Sequence, residues 1–173
     1  MFRKLRDRIS LNQRENVEKN VRLYIDSFVK EYKKIGYIAI YWPLKNEVDI
    51  RSLKKKFSLA LPRCRDKKEL LFYPWDEKPL TKDSEGILSP NNSLLLTHKQ
   101  ISMIFVPCLS VDKNLIRLGY GGGYFDKLRR DKNWGNVPCI GVLTSNCVST
   151  IPLTRAEWDV PLSCFITEKE ILV

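Results

Sequence analysis

Between Leu11 and about Lys34 apolar residues return every three or four positions, at Val17, Val21, Tyr24, Ile25, Phe28 and Val29. That spacing predicts an amphipathic helix with Arg14, Glu15, Glu18, Lys19 and Arg22 on its wet side. Ser10, just ahead of it, is a suitable N-cap. Gly36 breaks the pattern, and the continuous apolar run Tyr37 to Tyr41 predicts a strand buried on both faces, as in a parallel sheet. Val48 to Lys56 has a helical pattern, Phe57 to Leu61 predicts a strand that stops at Pro62, and Glu69 to Tyr73 predicts a third. The stretch from Pro74 to Ser93, rich in Pro, Asp, Ser and Asn, is expected to be a surface excursion. Further strands are expected at Ile101 to Pro107, Pro138 to Leu143 and Phe165 to Thr167, with a helix at Tyr124 to Arg130. Alternating strands and helices predict an α/β fold: a single domain over residues 1–173, three-layer α/β/α and Rossmann-like, with a mostly parallel central sheet.

Composition narrows the function classes. At 43% hydrophobic and 29% charged, the 173 residues are neither disordered nor fibrous. A formal net charge of +10 predicts an anionic partner, whether nucleic acid, a membrane surface or a small phosphorylated ligand. The five cysteines (Cys64, Cys108, Cys139, Cys147 and Cys164) are odd in number and form no C-x-x-C pair. With His98 as the only histidine, a structural zinc site is disfavoured, and small core residues are the better reading than nucleophiles. The basic start (Arg3, Lys4, Arg6, Arg8) has no apolar segment behind it, and no apolar run approaches the roughly 18 residues of a membrane span. A soluble, reduced, cytoplasmic protein is expected.

The chemistry concentrates in Arg117-Leu118-Gly119-Tyr120-Gly121-Gly122-Gly123-Tyr124-Phe125-Asp126. Four glycines in five positions let the backbone approach a ligand, and successive free N–H groups before a helix make a cradle for phosphate. Arg117 is placed to pair with phosphate oxygens and Asp126 to hold Mg²⁺. No Walker A lysine follows Gly123, and the dinucleotide pattern G-x-G-x-x-G fails because Tyr124 or Asp126 stands where its last glycine belongs. A flexible turn is the alternative. A second candidate segment, Trp42 to Asp49, follows a predicted strand, where α/β folds gather ligands. Trp42 can stack on a ring and Glu47 can accept from ring N–H groups, or else Trp42 is core and Glu47 merely starts a helix. Asp159, before Pro161, reads from its local pattern as a turn residue, and His98 in its polar setting as a surface residue.

Together these segments resemble the 5-formyltetrahydrofolate cyclo-ligase family, also called 5,10-methenyltetrahydrofolate synthetases. The glycine segment is similar to the family's R-L-G-Y-G-G-G-Y-Y-D signature, and Ile38 to Asp49 to its Y-x-P-x-x-x-E-x-D segment. Val106-Pro107 with Asp112, and Asp159-Val160-Pro161-Leu162 with Ile166-Thr167-Glu168, resemble its approach to the glycine loop and its ending. The resemblance implies ATP- and Mg²⁺-dependent closure of 5-formyltetrahydrofolate to the 5,10-methenyl product through a phosphorylated formyl group, in a monomer acting on small molecules and not on nucleic acid or membrane. It implies ATP binding by Arg117, Leu118, Gly119, Tyr120, Gly121, Gly122, Gly123, Tyr124 and Phe125. It places Trp42, Glu47, Tyr120, Gly121, Gly122, Gly123 and Tyr124 against the folate, Mg²⁺ on Asp126 and Asp159, and catalysis on Arg117, Tyr124 and Asp126. A degenerate binding relative and a basic nucleic-acid-binding module are the competing readings.

The chain also departs from the family pattern. The family's early K-x-x-L-R element, whose basic residues reach ATP, has no match, and Arg3, Lys4 and Arg6 stand nearest to it. Leu115 replaces a usual glycine, Ser89 an acid before Pro90, and Trp158 a frequent histidine.

Overall fold

Ser10 does cap the long helix. Its hydroxyl accepts from the Gln13 N–H at 3.2 Å while the Gln13 amide oxygen accepts from the Ser10 N–H at 3.1 Å, a reciprocal capping box. This computed structural model describes residues 2–32, 35–157 and 159–172; Trp158, the Arg3 side chain and the expected helix end at Lys34 lie outside them.

Helix α1 (Phe2–Asp7) precedes α2 (Leu11–Tyr32), and strands β1 (Tyr37–Ala39), β2 (Leu59–Arg65) and β3 (Glu69–Pro74) follow. Next come β4 (Leu80–Lys82), β5 (Leu88–Pro90), β6 (Ile101–Pro107), β7 (Ser110–Val111) and β8 (Arg117–Leu118). Helices α3 (Tyr124–Arg130) and α4 (Lys132–Gly135) and strands β9 (Cys139–Val142), β10 (Cys164–Ile166) and β11 (Ile171–Leu172) complete the order.

Seven strands form the main sheet in the order β11-β10-β9-β6-β1-β2-β3. The five inner strands run parallel, and β11 and β3 close the two edges antiparallel. The inner strands carry the continuous apolar runs because both faces are covered. On one face Val17, Val21 and Ile25 of α2, all fully buried, pack with Ile38, Ile40, Met103, Phe105 and Ile140. On the other, Phe125, Leu128 and Trp134 of α3 and α4 cover Ala39, Ala60, Ile104, Val106 and Phe165. The result is the expected three-layer α/β/α arrangement.

Several local expectations are corrected. Val48 to Lys56 yields only a short 3-10 turn at Arg51–Lys55. Strand β2 runs through Pro62 to Arg65. The Ser58 carbonyl accepts from Ile38 of β1 and the Ala60 carbonyl from Ile40 just past it, while that of Leu59 accepts from Trp75 beyond β3, so even-numbered residues face β1. Strand β1 ends at Ala39, so the missing N–H of Pro62 falls where no partner strand remains. The excursion after Pro74 holds the β4–β5 hairpin, which Asp83 fastens to β2 by accepting from the Cys64 N–H at 2.8 Å.

Candidate functional site

Beyond the carboxyl ends of β1, β2 and β6 lies a cavity of about 520 Å³. Trp42, Glu47, the whole of Arg117 to Asp126 and Asp159 line it, so residues from three distant sequence segments share one space. Cys64, Leu70, Asp83, Glu85, Ile87 and Thr154 complete much of the wall. His98 is not part of it; the imidazole stands edge-on to Trp134, with ring centres 6.2 Å apart.

The glycine loop leaves β8, which pairs antiparallel with β7 beside the main sheet. Its position is set by Asp112, 1% exposed, whose carboxylate accepts from the N–H groups of Asn114 (2.9 Å), Ile116 (3.0 Å) and Leu153 (2.7 Å). Alanine at position 112 would orphan all three donors, so Asp112→Ala is expected to cost about 3 kcal/mol in a urea titration. Within the same turn Leu115 takes φ 62, the left-handed region that a glycine would adopt without strain, and packs its side chain on the core. Gly121 and Gly123 also have positive φ, at 92 and 71, turning the chain sharply into α3.

Arg117 is the best-anchored charge in the cavity wall. Its side chain is 10% exposed, and Nη2 donates to Asp126 Oδ1 at 2.6 Å. The guanidinium lies 5.7 Å from the Phe125 ring centre. Asp126 and Asp159 both face the cavity. Arg129 fixes their relation from beneath by donating Nη1 to the carbonyls of Val160 (2.7 Å) and Pro161 (2.8 Å), tying the Asp159 segment to α3. Asp126 Oδ1 accepts from Arg117 Nη2, and Asp159 Oδ2 accepts from the Ala156 N–H. Among the described residues no group of three or more His, Cys, Asp or Glu side chains could hold a metal. Two carboxylates facing one cavity do fit Mg²⁺, a cation that takes one or two carboxylates and completes its shell with phosphate oxygens and water.

Glu47 lines the same cavity. It is 7% exposed, Oε2 accepts from the Leu44 N–H at 2.7 Å, and Oε1 is buried with no hydrogen-bond partner. Burial pushes its carboxyl above the usual range; the Leu44 hydrogen bond and the charge of Arg6 pull the other way. A buried acceptor left unpaired beside a cavity is suited to a ligand N–H. Trp42 lies nearby, its ring under the Arg51 guanidinium at 4.3 Å and edge-on to Trp75.

Tyr124 Oη donates to Glu85 Oε1 at 2.6 Å, joining the start of α3 to the turn of the β4–β5 hairpin across the rim. That hydrogen bond raises the phenol to about 12. All five cysteines are buried, and burial pushes the Cys64 and Cys108 thiols up to about 12, which favours packing over nucleophilic chemistry. Sequence reasoning missed Asp83 and Glu85, because the hairpin that carries them looked like loop. It grouped Arg6 with the basic N-terminal residues, whereas here that guanidinium lies 5.0 Å from the Tyr120 ring centre.

Among the described residues no helix is long and apolar enough to cross a membrane. A family model described as the 5-formyltetrahydrofolate cyclo-ligase family matches residues 1–168. A Haemophilus influenzae protein named 5-formyltetrahydrofolate cyclo-ligase is 29% identical over 172 residues, covering 93% of this chain and 90% of that one. The solved structure of an Aquifex aeolicus 5,10-methenyltetrahydrofolate synthetase superposes with a TM-score of 0.75 at 28% identity, over 99% of this chain and 89% of that one. A Mycoplasma pneumoniae synthetase structure shares the fold at a TM-score of 0.72 and 23% identity, covering 96% of this chain and 93% of that one. A match over nearly the full length, with the glycine loop, Glu47 and both aspartates on one cavity, means that the chain belongs to the 5-formyltetrahydrofolate cyclo-ligase family.

Proposed function

We propose that the protein converts 5-formyltetrahydrofolate to 5,10-methenyltetrahydrofolate with Mg²⁺ and ATP, releasing ADP and phosphate. The observation that carries this is the convergence of a glycine-loop cradle and a buried, half-paired carboxylate on one cavity. In this reading residues 1–173 work as a single domain, a monomer in the cytoplasm, with small molecules as its only substrates.

The backbone N–H groups of Gly119 to Phe125 and the Arg117 guanidinium receive the triphosphate. Glu47 Oε1 accepts from the folate ring N–H groups, Trp42 packs on the ring, and Tyr120 to Tyr124 lie between the two ligands. The formyl oxygen attacks the γ-phosphorus and the bond to ADP breaks. N10 then attacks the formyl carbon and gives up its proton, the carbon–oxygen bond breaks, and the oxygen and that proton leave with the phosphate. Asp126 and Asp159 hold Mg²⁺, which supplies neutralisation of phosphate charge when bound. Arg117 holds the phosphoryl oxygens in line, so alignment and electrostatic stabilisation do most of the work.

The test is to mix the protein with 5-formyltetrahydrofolate and Mg-ATP and follow the near-ultraviolet band of the methenyl product. Growth that requires ATP supports the assignment. No growth from folded protein refutes it, and salt-sensitive oligonucleotide binding in its place would favour the nucleic-acid reading.

A Cβ built on Gly119 would meet Arg117 Nη1 at 2.7 Å, so Gly119→Ala displaces the guanidinium. It is expected to lower kcat/KM for ATP by about tenfold or more while leaving the urea midpoint nearly unchanged.

A further inference from the structure

We infer that Arg6 is a positioning residue that aims the Glu47 carboxylate and offsets part of the cost of its burial, acting across a gap the size of one water molecule. Its consequence for catalysis rests on the folate reading above; the pairing itself does not.

Unpaired polar atoms of Arg6 and Glu47 line one small gap, and Tyr120 lies against Arg6. The Arg6 side chain is 14% exposed, and its Nε and Nη1 are buried without hydrogen-bond partners. Its ion-pair contact among the described residues is a long one, Nη2 to Asp7 at 3.8 Å. Glu47 Oε1 is buried and unpaired, and so is the hydroxyl of Tyr120, whose ring lies against the Arg6 guanidinium. Arg6, Asn46, Glu47, Thr144 and Cys147 line a single gap of about 10 Å³. That is the volume at which one water fits, and a water there accepts from the guanidinium and donates to the carboxylate. Buried N–H groups and a buried carboxylate oxygen are costly left alone, and each is what the other lacks.

Burial sets the direction for Glu47, the Leu44 N–H opposes it, and among the side chains facing the carboxyl Arg6 is the one that adds to that opposition. Tyr41 and Cys108 are buried with their protons held on, so they add no positive charge. Asp49 is engaged with Arg51 at 2.6 Å. Arg117 shares the large cavity with Glu47 but is paired with Asp126. Arg6 also faces Cys147 across the gap, whose thiol burial keeps protonated. The ring contact with Tyr120 then joins the folate wall to the glycine loop through one side chain.

The experiment is a carboxyl ¹³C NMR titration of the ligand-free protein, with the Glu47 signal assigned by its loss in Glu47→Gln. Arg6→Met and Arg6→Gln are expected to move the Glu47 midpoint to higher pH, and Arg6→Lys to return it toward the parent. In steady-state kinetics the acid limb of kcat/KM for 5-formyltetrahydrofolate shifts the same way, with about a tenfold loss near pH 6 and little change in KM for ATP. An unmoved Glu47 midpoint in both neutral variants overturns the inference. So does a rise in KM for ATP with the acid limb in place, which would make Arg6 a nucleotide contact. Should the parent lack turnover, the functional reading fails while the titration still decides the pairing.

Discussion

Replacing Arg117 by leucine is expected to reduce ATP-dependent formation of the methenyl product by about a thousandfold, with the protein still folded. The guanidinium is fixed on Asp126 at 2.6 Å before any ligand arrives, so its alignment costs nothing at the moment of reaction. The two partners respond unequally to mutation. Asp126 is 40% exposed and can be solvated once Arg117 is gone, so Arg117→Leu carries a small stability penalty. Arg117 is 10% exposed, so Asp126→Asn leaves a nearly buried cation with a neutral partner and lowers the urea midpoint more. The same Asn variant is expected to raise the Mg²⁺ concentration needed for half-maximal rate about tenfold, whereas Arg117→Leu leaves that requirement near the parent value. Equal Mg²⁺ dependence in parent and Asp126→Asn would remove Asp126 from the metal site.

Glu47→Gln is expected to make the ligand-free protein more stable at neutral pH while raising KM for the folate by about ten- to a hundredfold. Burial sets the carboxyl of the folded protein above its usual range, so the unfolded chain gives up this proton first. Stability is therefore fully present below the ordinary carboxylate pKa and is lost as pH rises through the folded-state value. Glutamine carries no charge, and its amide oxygen can still accept from the Leu44 N–H. Urea midpoints of variant and parent should converge in acid and separate above the carboxylate range, the variant being higher. A variant less stable than the parent at neutral pH would show that Glu47 holds the fold together and is not a strained recognition group.

The elements most legible in the sequence are those set by local periodicity. The stripe of α2, the continuous run of β6 and the start of α3 at Tyr124 all stand where the pattern places them. Elements set by tertiary context were not legible. Whether Pro62 ends a strand depends on where β1 stops, and the helical pattern at Val48 to Lys56 is overridden by anchoring of Val48, Ile50 and Leu53 in the core. The cavity follows the same division. Trp42, Glu47 and Arg117 to Asp126 carry visible chemistry, Asp159 read locally as a turn and entered only through the family resemblance, and all of them line one cavity. Asp83, Glu85 and the Arg6 contact with Tyr120 arise from long-range packing that no local spacing encodes. Leu115 is instructive: it stands where the family usually has a glycine, and the backbone is left-handed there despite the side chain.

The strand order also bears on how the protein matures. Strand β1 has β6 on one side and β2 on the other, and β6 in turn needs β9, which arrives only after residue 138. The cavity wall runs from Tyr41 to Asp159, so it closes only when nearly the whole chain has been threaded into register. Such non-local pairing makes for slow refolding. Recovered ligand binding would therefore lag behind recovered helix content after dilution from denaturant and report the last step of assembly. Ligands bound across that wall would hold the native state as a whole, raising the resistance of even remote segments to proteolysis.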